Sequence, residues 1–340
     1  MKSRKTHPVQ RYKLAKDLGL KFQDDPVAAI LDYCERRIGE LMADYPDCQT
    51  LTQMLDWVAN RVGTSFVEIG TDDDLREAQQ RYLQQRELGF VKLEEDLSAE
   101  VFGQTIRLNN REAWEPQYVS VIDCRGEKSA RSYFTKWHEI AHLLTLTGQR
   151  RLVFRRTHCA VAGFDPEERL MDEIAGRFGF YPPLVHRHIN GQISFEHIEE
   201  LRLKLCPEAS LQASLINIVK YWPAPCIFLR AQMGYRKDDE AKLTQQGFYF
   251  FDPPQASLRA VHVAPNEKAR ERGFIIHENM RVPEVSVISR LFAGGSGRGG
   301  ADEDMAWWEA SGVRLPACPV SVKARRLAES IEAIISSQAD

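Results

Sequence analysis

Residues 129–148 read SARSYFTKWHEIAHLLTLTG, and the core of that stretch, His138-Glu139-Ile140-Ala141-His142, decides how the rest of the chain is read. No Gly or Pro interrupts the run before Gly148, which predicts one helix with Ser129 as its N-cap. Positions i and i+4 share a helix face, so His138 and His142 can hold one metal ion between them. Glu139, one residue further round, is placed to take a proton from water that such a metal activates. Tyr133, Trp137, Ile140 and Leu144 form an apolar stripe, which leaves the 134/138/142 face for a cleft.

A catalytic zinc needs a third protein ligand and one open position. Gly at 145 and His at 148 would extend the motif in one known way, but the chain has Thr145 and Gly148 there. The next helix, opened by Asp165 as N-cap and Pro166 at N1, carries Glu168 with Asp172 four residues on. Glu168 can be the third ligand, with Asp172 holding a ligand imidazole. Glu168 can equally be the N3 partner in an Asp165 capping box. Glu173 and His158 are the other candidates.

Phe134-Thr135-x-x-His138-Glu139-x-x-His142, Glu168-x-x-Met171-Asp172 and Phe180-Tyr181-Pro182 together resemble the ImmA/IrrE metallopeptidases, over residues from about 50 to 220. The chain departs from that family at Lys136-Trp137, where small apolar residues are usual, and at Gly179-Phe180-Tyr181. The resemblance implies an α+β fold: a zincin-like metallopeptidase domain, with a small sheet, the HExxH helix and a following glutamate helix, then a GAF-like α/β sensor domain. By the same likeness His138, His142 and Glu168 would bind zinc, Glu139 would be the general base, and Asp172 would support a ligand. The implied activity is site-specific cleavage of a helix-turn-helix repressor under stress, from DNA damage or phage, which relieves repression. Single-stranded DNA or a small-molecule stress signal would be the activator. Tyr181, His158 and His186 are candidates to stabilise the oxyanion.

Regulatory members of that family also suggest an inhibitory cysteine. Cys124 ends the strand-like run Tyr118–Asp123, whose edge is expected to border the metal cleft. Its thiolate would fill the open zinc position; Cys159 is a second candidate. The alternative is that Cys124 is a small buried hydrophobe. A competing reading of the whole chain is a non-catalytic stress-sensing transcription regulator with structural zinc. The open coordination position of a His-His-Glu site argues against it.

The 340 residues suggest two domains. We expect a metallopeptidase domain at 1–205 with a helical N-terminal extension, a helical linker at 206–224, and a sensor domain at 225–340. Helices are expected at 26–41, 50–62, 72–88, 195–205 and 208–221, and strands at 65–69, 101–108 and 118–123. Beyond Pro225, strands are expected at 226–233, 247–251, 259–264 and 285–292, and a helix over the last twenty residues. Phe248–Phe251 read as sheet core. Gly295–Gly300 matches GxGxxG but lacks the acid that a dinucleotide site needs about twenty residues on, and reads as a hairpin loop.

Lys+Arg 45 against Asp+Glu 48 leaves a net charge of −3, which excludes a basic domain of the kind that coats phosphate backbones. Arg150, Arg151, Arg155 and Arg156 form a local exception and are candidate phosphate contacts. The would-be recognition helix in the pair 195–221 offers only Lys220 as a cation and is better suited to packing. Seven cysteines without a CxxC pair fit reduced thiols, and no apolar leader or membrane span is evident, so a cytoplasmic protein is expected.

Overall fold

The computed structural model describes residues 9–22, 25–146, 153–157, 165–236, 239, 255–294, 297–310 and 313–338; of 153–157, 309–310 and 313–314 it describes the backbone. Contacts divide the chain into two units, Met1–Val185 with Arg202–Ser210, and His186–Leu201 with Leu211–Asp340. Among the described residues no helix is long and apolar enough to cross a membrane.

The first unit is mixed α+β. Its elements are α1 (Val9–Asp17), α2 (Pro26–Ala43), α3 (Leu51–Val62), β1 (Thr64–Ile69), α4 (Asp72–Gln84), α5 (Leu93–Asp96), β2 (Val101–Arg107), β3 (Tyr118–Asp123), α6 (Ser132–Leu144), β4 (Val153–Thr157) and α7 (Pro166–Gly179). Local chemistry sets most boundaries. Asp25 caps α2 ahead of Pro26, Thr50 and Gln53 make a capping box for α3, and Thr71 and Asp74 do the same for α4. Gly63 closes α3 in the left-handed conformation at φ 79°, which lets the chain turn straight into β1. The sheet runs β1-β3-β2-β4, with β1 parallel to β3 and the other pairs antiparallel.

Two expectations in this unit need correction. α6 begins at Ser132 rather than Ser129; residues 126–131 form a 3-10 turn in which the Ser129 hydroxyl donates to the Gly126 carbonyl. β3, expected to border the cleft with a free edge, lies between β1 and β2 with both edges paired. β1 and β4 are the edge strands.

α8 (Pro182–His186) and α9 (Phe195–Leu205) each carry residues of both units. The second unit continues with α10 (Leu211–Lys220), β5 (Cys226–Gly234), β6 (Ser257–Pro265), α11 (Glu267–Glu271), α12 (Val287–Gly294), β7 (Arg298–Asp304), β8 (Glu309–Ala310), β9 (Val313–Arg314), β10 (Pro319–Arg326) and β11 (Ile331–Ser337). Its main sheet is β6-β5-β11-β10-β7, antiparallel throughout, with a core that includes Ile227, Leu229, Ile288, Leu291, Val322 and Ile335.

The expected C-terminal helix is instead the hairpin β10–β11. Ile331, Ile334 and Ile335 mimic helical spacing, but β11 is the central strand and buries residues on both faces, which erases the alternation of a half-exposed strand. The expected strand 285–292 is α12. Its first turn is held by a distant acid: Glu303 Oε1 accepts from Val287 N at 2.6 Å and from the Ser286 hydroxyl at 3.1 Å. Of the glycines read as a hairpin loop, Gly299 and Gly300 lie in β7, where a Cβ on Gly299 would meet Val287 at 3.2 Å and Leu291 at 3.3 Å, so glycine lets α12 lie close on the strand. The expected strand 247–251 and the aromatics Phe248–Phe251 lie outside the described residues.

Candidate metal centre

α6 is buried on almost every side, and the face bearing both histidines meets α7. Two contacts fix that pairing. The Tyr133 hydroxyl donates to the Gly179 carbonyl at 2.6 Å. The Trp137 ring lies against Gly179, where a Cβ would stand 3.1 Å from Trp137 Cδ1. A bulky residue on one helix therefore meets the residue without a side chain on the next. Lys136, the residue before Trp137, pairs with Glu68 on β1 at 2.8 Å.

The α6–α7 contact brings three donor groups together. His138 Nε2 lies 3.2 Å from His142 Nε2, and Glu168 places Oε2 3.1 Å from the first and Oε1 3.4 Å from the second. Tetrahedral zinc with bonds of about 2.0–2.1 Å needs donors roughly 3.3–3.4 Å apart. The triangle fits. Among the described residues this is the group of His, Cys and carboxylate side chains that could hold an ion, its ligand atoms lying within 4.8 Å of one another. Asp172 Oδ1 sits 2.8 Å from His138 Nδ1, which directs the opposite ring nitrogen toward the cluster.

The competition for Glu168 is settled by the cap. Asp165 accepts from the Glu167 amide at 2.8 Å, leaving the Glu168 carboxylate on the imidazoles. Burial works to raise the Glu168 carboxyl, but its bonds to His138 and His142 outweigh burial and hold it well below the usual carboxylate range. Glu173 is exposed and not among the cluster.

Glu139 is fully buried beside the triangle, and burial raises its carboxyl above the ordinary value against the pull of both histidines and Thr105. Its two oxygens differ. Oε2 accepts from the Thr105 hydroxyl at 2.7 Å, whereas Oε1 has no hydrogen-bond partner. Behind Thr105 runs a line of buried hydroxyls: Thr105 to Ser120 at 2.6 Å, and Ser120 to Thr64 at 2.9 Å. It crosses β2, β3 and β1. Gly103 completes the seat, since a Cβ there would lie 2.7 Å from Thr135 Cγ2 and 3.1 Å from Glu139 Oε1. Sequence reading missed Gly103, Thr105, Ser120 and Thr64. Their signal, small and hydroxyl residues on strands of a small sheet, acquires meaning only once α6 is laid across it.

Other expected site residues fall elsewhere. Cys124 lies outside the cluster, with Sγ 3.6 Å from Glu68 Oε2; burial, then the Glu68 charge, push its thiol up to about 11. His186 Nε2 is 2.6 Å from the Tyr221 carbonyl, and the Tyr181 ring packs beside Phe178 at 6.4 Å. Arg155 and Arg156 are on edge strand β4, paired with Gln104 and Gly103. Arg150, Arg151, His158 and Cys159 lie outside the described residues. No family model and no curated protein matches this sequence.

Proposed function

We propose that this chain is a zinc-dependent endopeptidase of the ImmA/IrrE kind, built as a zincin-like domain and a GAF-like domain, which cleaves a helix-turn-helix repressor under stress. One observation carries the reading: a His-His-Glu donor triangle lies beside a buried carboxylate with one oxygen held by Thr105 and the other unpartnered. A structural site would have no use for that orphan oxygen, and buried orphans are costly enough to need a reason. The donor set, two imidazoles and a carboxylate, is the chemistry zinc takes in hydrolytic sites.

His138, His142 and Glu168 would hold the ion, and Asp172 orients His138. When bound, zinc supplies Lewis acidity, which makes water a competent nucleophile at neutral pH. Glu139 Oε1 accepts the proton of the attacking water, and the same carboxyl then returns it to the leaving amine. Thr105 keeps Oε2 from rotating into that role. The outer edge of β4, next to β2, offers backbone groups on which an extended substrate segment can be laid by strand addition.

The test has two parts. Glu139→Gln should bind about one zinc per chain as the parent does, because Glu139 is not a ligand, yet lose cleavage by at least about 100-fold. His142→Ala and Glu168→Ala should lose the metal. Co-expression with small helix-turn-helix proteins encoded beside this gene, read as a shortened band, supplies the substrate. Cleavage by the Glu139→Gln protein would overturn the mechanism, and zinc retained by His142→Ala would overturn the site.

A further inference from the structure

A cavity of about 240 Å3 opens at one end of the five-stranded sheet, well separated in sequence from the metal ligands. It lies where β5 begins, at Pro225, and β11 ends, at Ser337; Phe274, Met305 and Leu315 supply an apolar lining. Backbone bonds hold its walls: Met305 N to Cys318 O at 3.0 Å, Leu315 N to Trp308 O at 3.0 Å, and Ser337 N to Pro225 O at 3.1 Å. Cys318 N is also bound, to Asp304 Oδ1 at 3.0 Å. A pocket walled by strand ends in this way is formed before any ligand arrives.

Its polar equipment is sparse. Arg272 is the one charged residue in the lining. The guanidinium has no hydrogen-bond or ion-pair partner among the described residues. Its position is set by the end of α11, where Phe274 N bonds to Ala269 O at 2.8 Å and Gly273 adopts φ +68°. That left-handed residue puts Arg272 and Phe274, one on either side of it, on the same cavity. Among the remaining lining groups, the Ser337 hydroxyl is occupied by the Gln338 carbonyl at 3.2 Å, and Cys318, whose Sγ lies 3.9 Å from the Pro319 carbonyl, is partly exposed.

We propose that this cavity is a binding site for a small monocarboxylic acid with an apolar body. The guanidinium fork matches a carboxylate in two parallel hydrogen bonds, and the apolar wall takes the ring or branched chain behind it. Arg272 is the one charged residue in the lining, so a single carboxylate is the charge it matches one to one. The volume, below the roughly 300–1,000 Å3 of drug-sized pockets, suits a ligand of about twelve non-hydrogen atoms.

The site has a built-in reporter. Cys318 is partly exposed and lines the cavity, while Cys124, also partly exposed, lies in the other unit and serves as an internal reference. The full-length chain is incubated with phenylacetate, indole-3-acetate or 2-naphthoate, each beside its neutral amide, and iodoacetamide labelling of each cysteine is followed by peptide mass mapping. At least one acid should slow labelling of Cys318 and leave Cys124 unchanged. Its amide should need about tenfold more ligand for the same protection. Arg272→Gln should erase the difference between acid and amide, and Ala317→Phe, which fills the opening from a surface position, should abolish protection by both. No protection by any of the three acids, or acid and amide equal in the parent protein, overturns the proposal. Neither zinc nor cleavage enters the measurement, so its result is independent of the peptidase reading.

Discussion

Thr105 illustrates how one side chain can matter without belonging to the candidate metal cluster. It donates to Glu139 Oε2 at 2.7 Å while standing 2.6 Å from the Ser120 hydroxyl, so it transmits the order of the sheet to the carboxylate. Thr105→Val keeps the shape and removes the donor. It should cost about 1–3 kcal/mol of stability, the usual penalty for stranding buried polar groups, and lower cleavage at least about tenfold while zinc affinity stays the same. Thr105→Ser restores the hydroxyl and should restore most of the activity. Equal cleavage by the Val and Thr proteins would reduce the hydroxyl line to a packing feature. At this scale the sequence was informative where spacing within a helix brings donor groups to one face, as at 138, 139 and 142 on α6 and at 168 and 172 on α7. It was silent where residues 64, 103, 105 and 120 meet Glu139 across three strands, because no local pattern records a tertiary contact.

At the scale of elements, the candidate metal centre depends on how α6 is delivered from β3 and how it seats on α7. The delivery turn is clamped by Asp123, buried at the end of β3. It accepts from Arg125 Nε and Nη2, both at 2.9 Å, and from Lys128 Nζ at 2.6 Å. Burial opposes its ionisation, but these bonds prevail and hold its pKa below the ordinary 3.8. A carboxyl depressed in the folded state contributes stability above its unfolded pKa and loses that contribution as pH falls through the folded value. Asp123→Asn should therefore cost about 2–4 kcal/mol near neutral pH. In urea titrations the gap between the two proteins should narrow progressively once pH drops below the ordinary carboxylate range. A gap that is constant down to strong acid would show that the charge does not hold the turn. Seating is tested by Gly179→Ala, whose added Cβ would lie 3.1 Å from Trp137 Cδ1. We expect about 1–3 kcal/mol of destabilisation and weaker zinc binding, because α7 carries Glu168. Zinc affinity unchanged in a stably folded Gly179→Ala protein would separate the Trp137 contact from the metal site. Elements legible from sequence were those with their own caps and a solvent face, such as α3, α4 and α7. α12 and β11 were misread because one takes its cap from Glu303, far along the chain, and the other buries both faces.

For the whole molecule, the division into two units has a thermodynamic consequence. The unit containing His138, His142 and Glu168 packs its own core around Val119, Val121, Leu75 and Phe90, and the other packs a separate core around Ile227, Val322 and Ile335. A ligand that binds one native unit stabilises that unit by RT ln(1 + [L]/Kd), about 2.7 kcal/mol at 100 times Kd. Scanning calorimetry of the metal-free chain should resolve two transitions, and zinc should raise the midpoint of only one. His142→Ala should remove that rise while leaving the second transition where it was, because its core contains no metal ligand. The carboxylic acid proposed for the cavity at Arg272 should do the reverse, moving the second transition and not the first. If zinc shifts both transitions together in the parent protein, the two cores unfold as a single cooperative block, and binding at one site must then be felt thermodynamically at the other. That outcome would give the proposed stress signal and the proposed peptidase a shared equilibrium on which to act; independent transitions would require any coupling between the proposed activities to come from a partner.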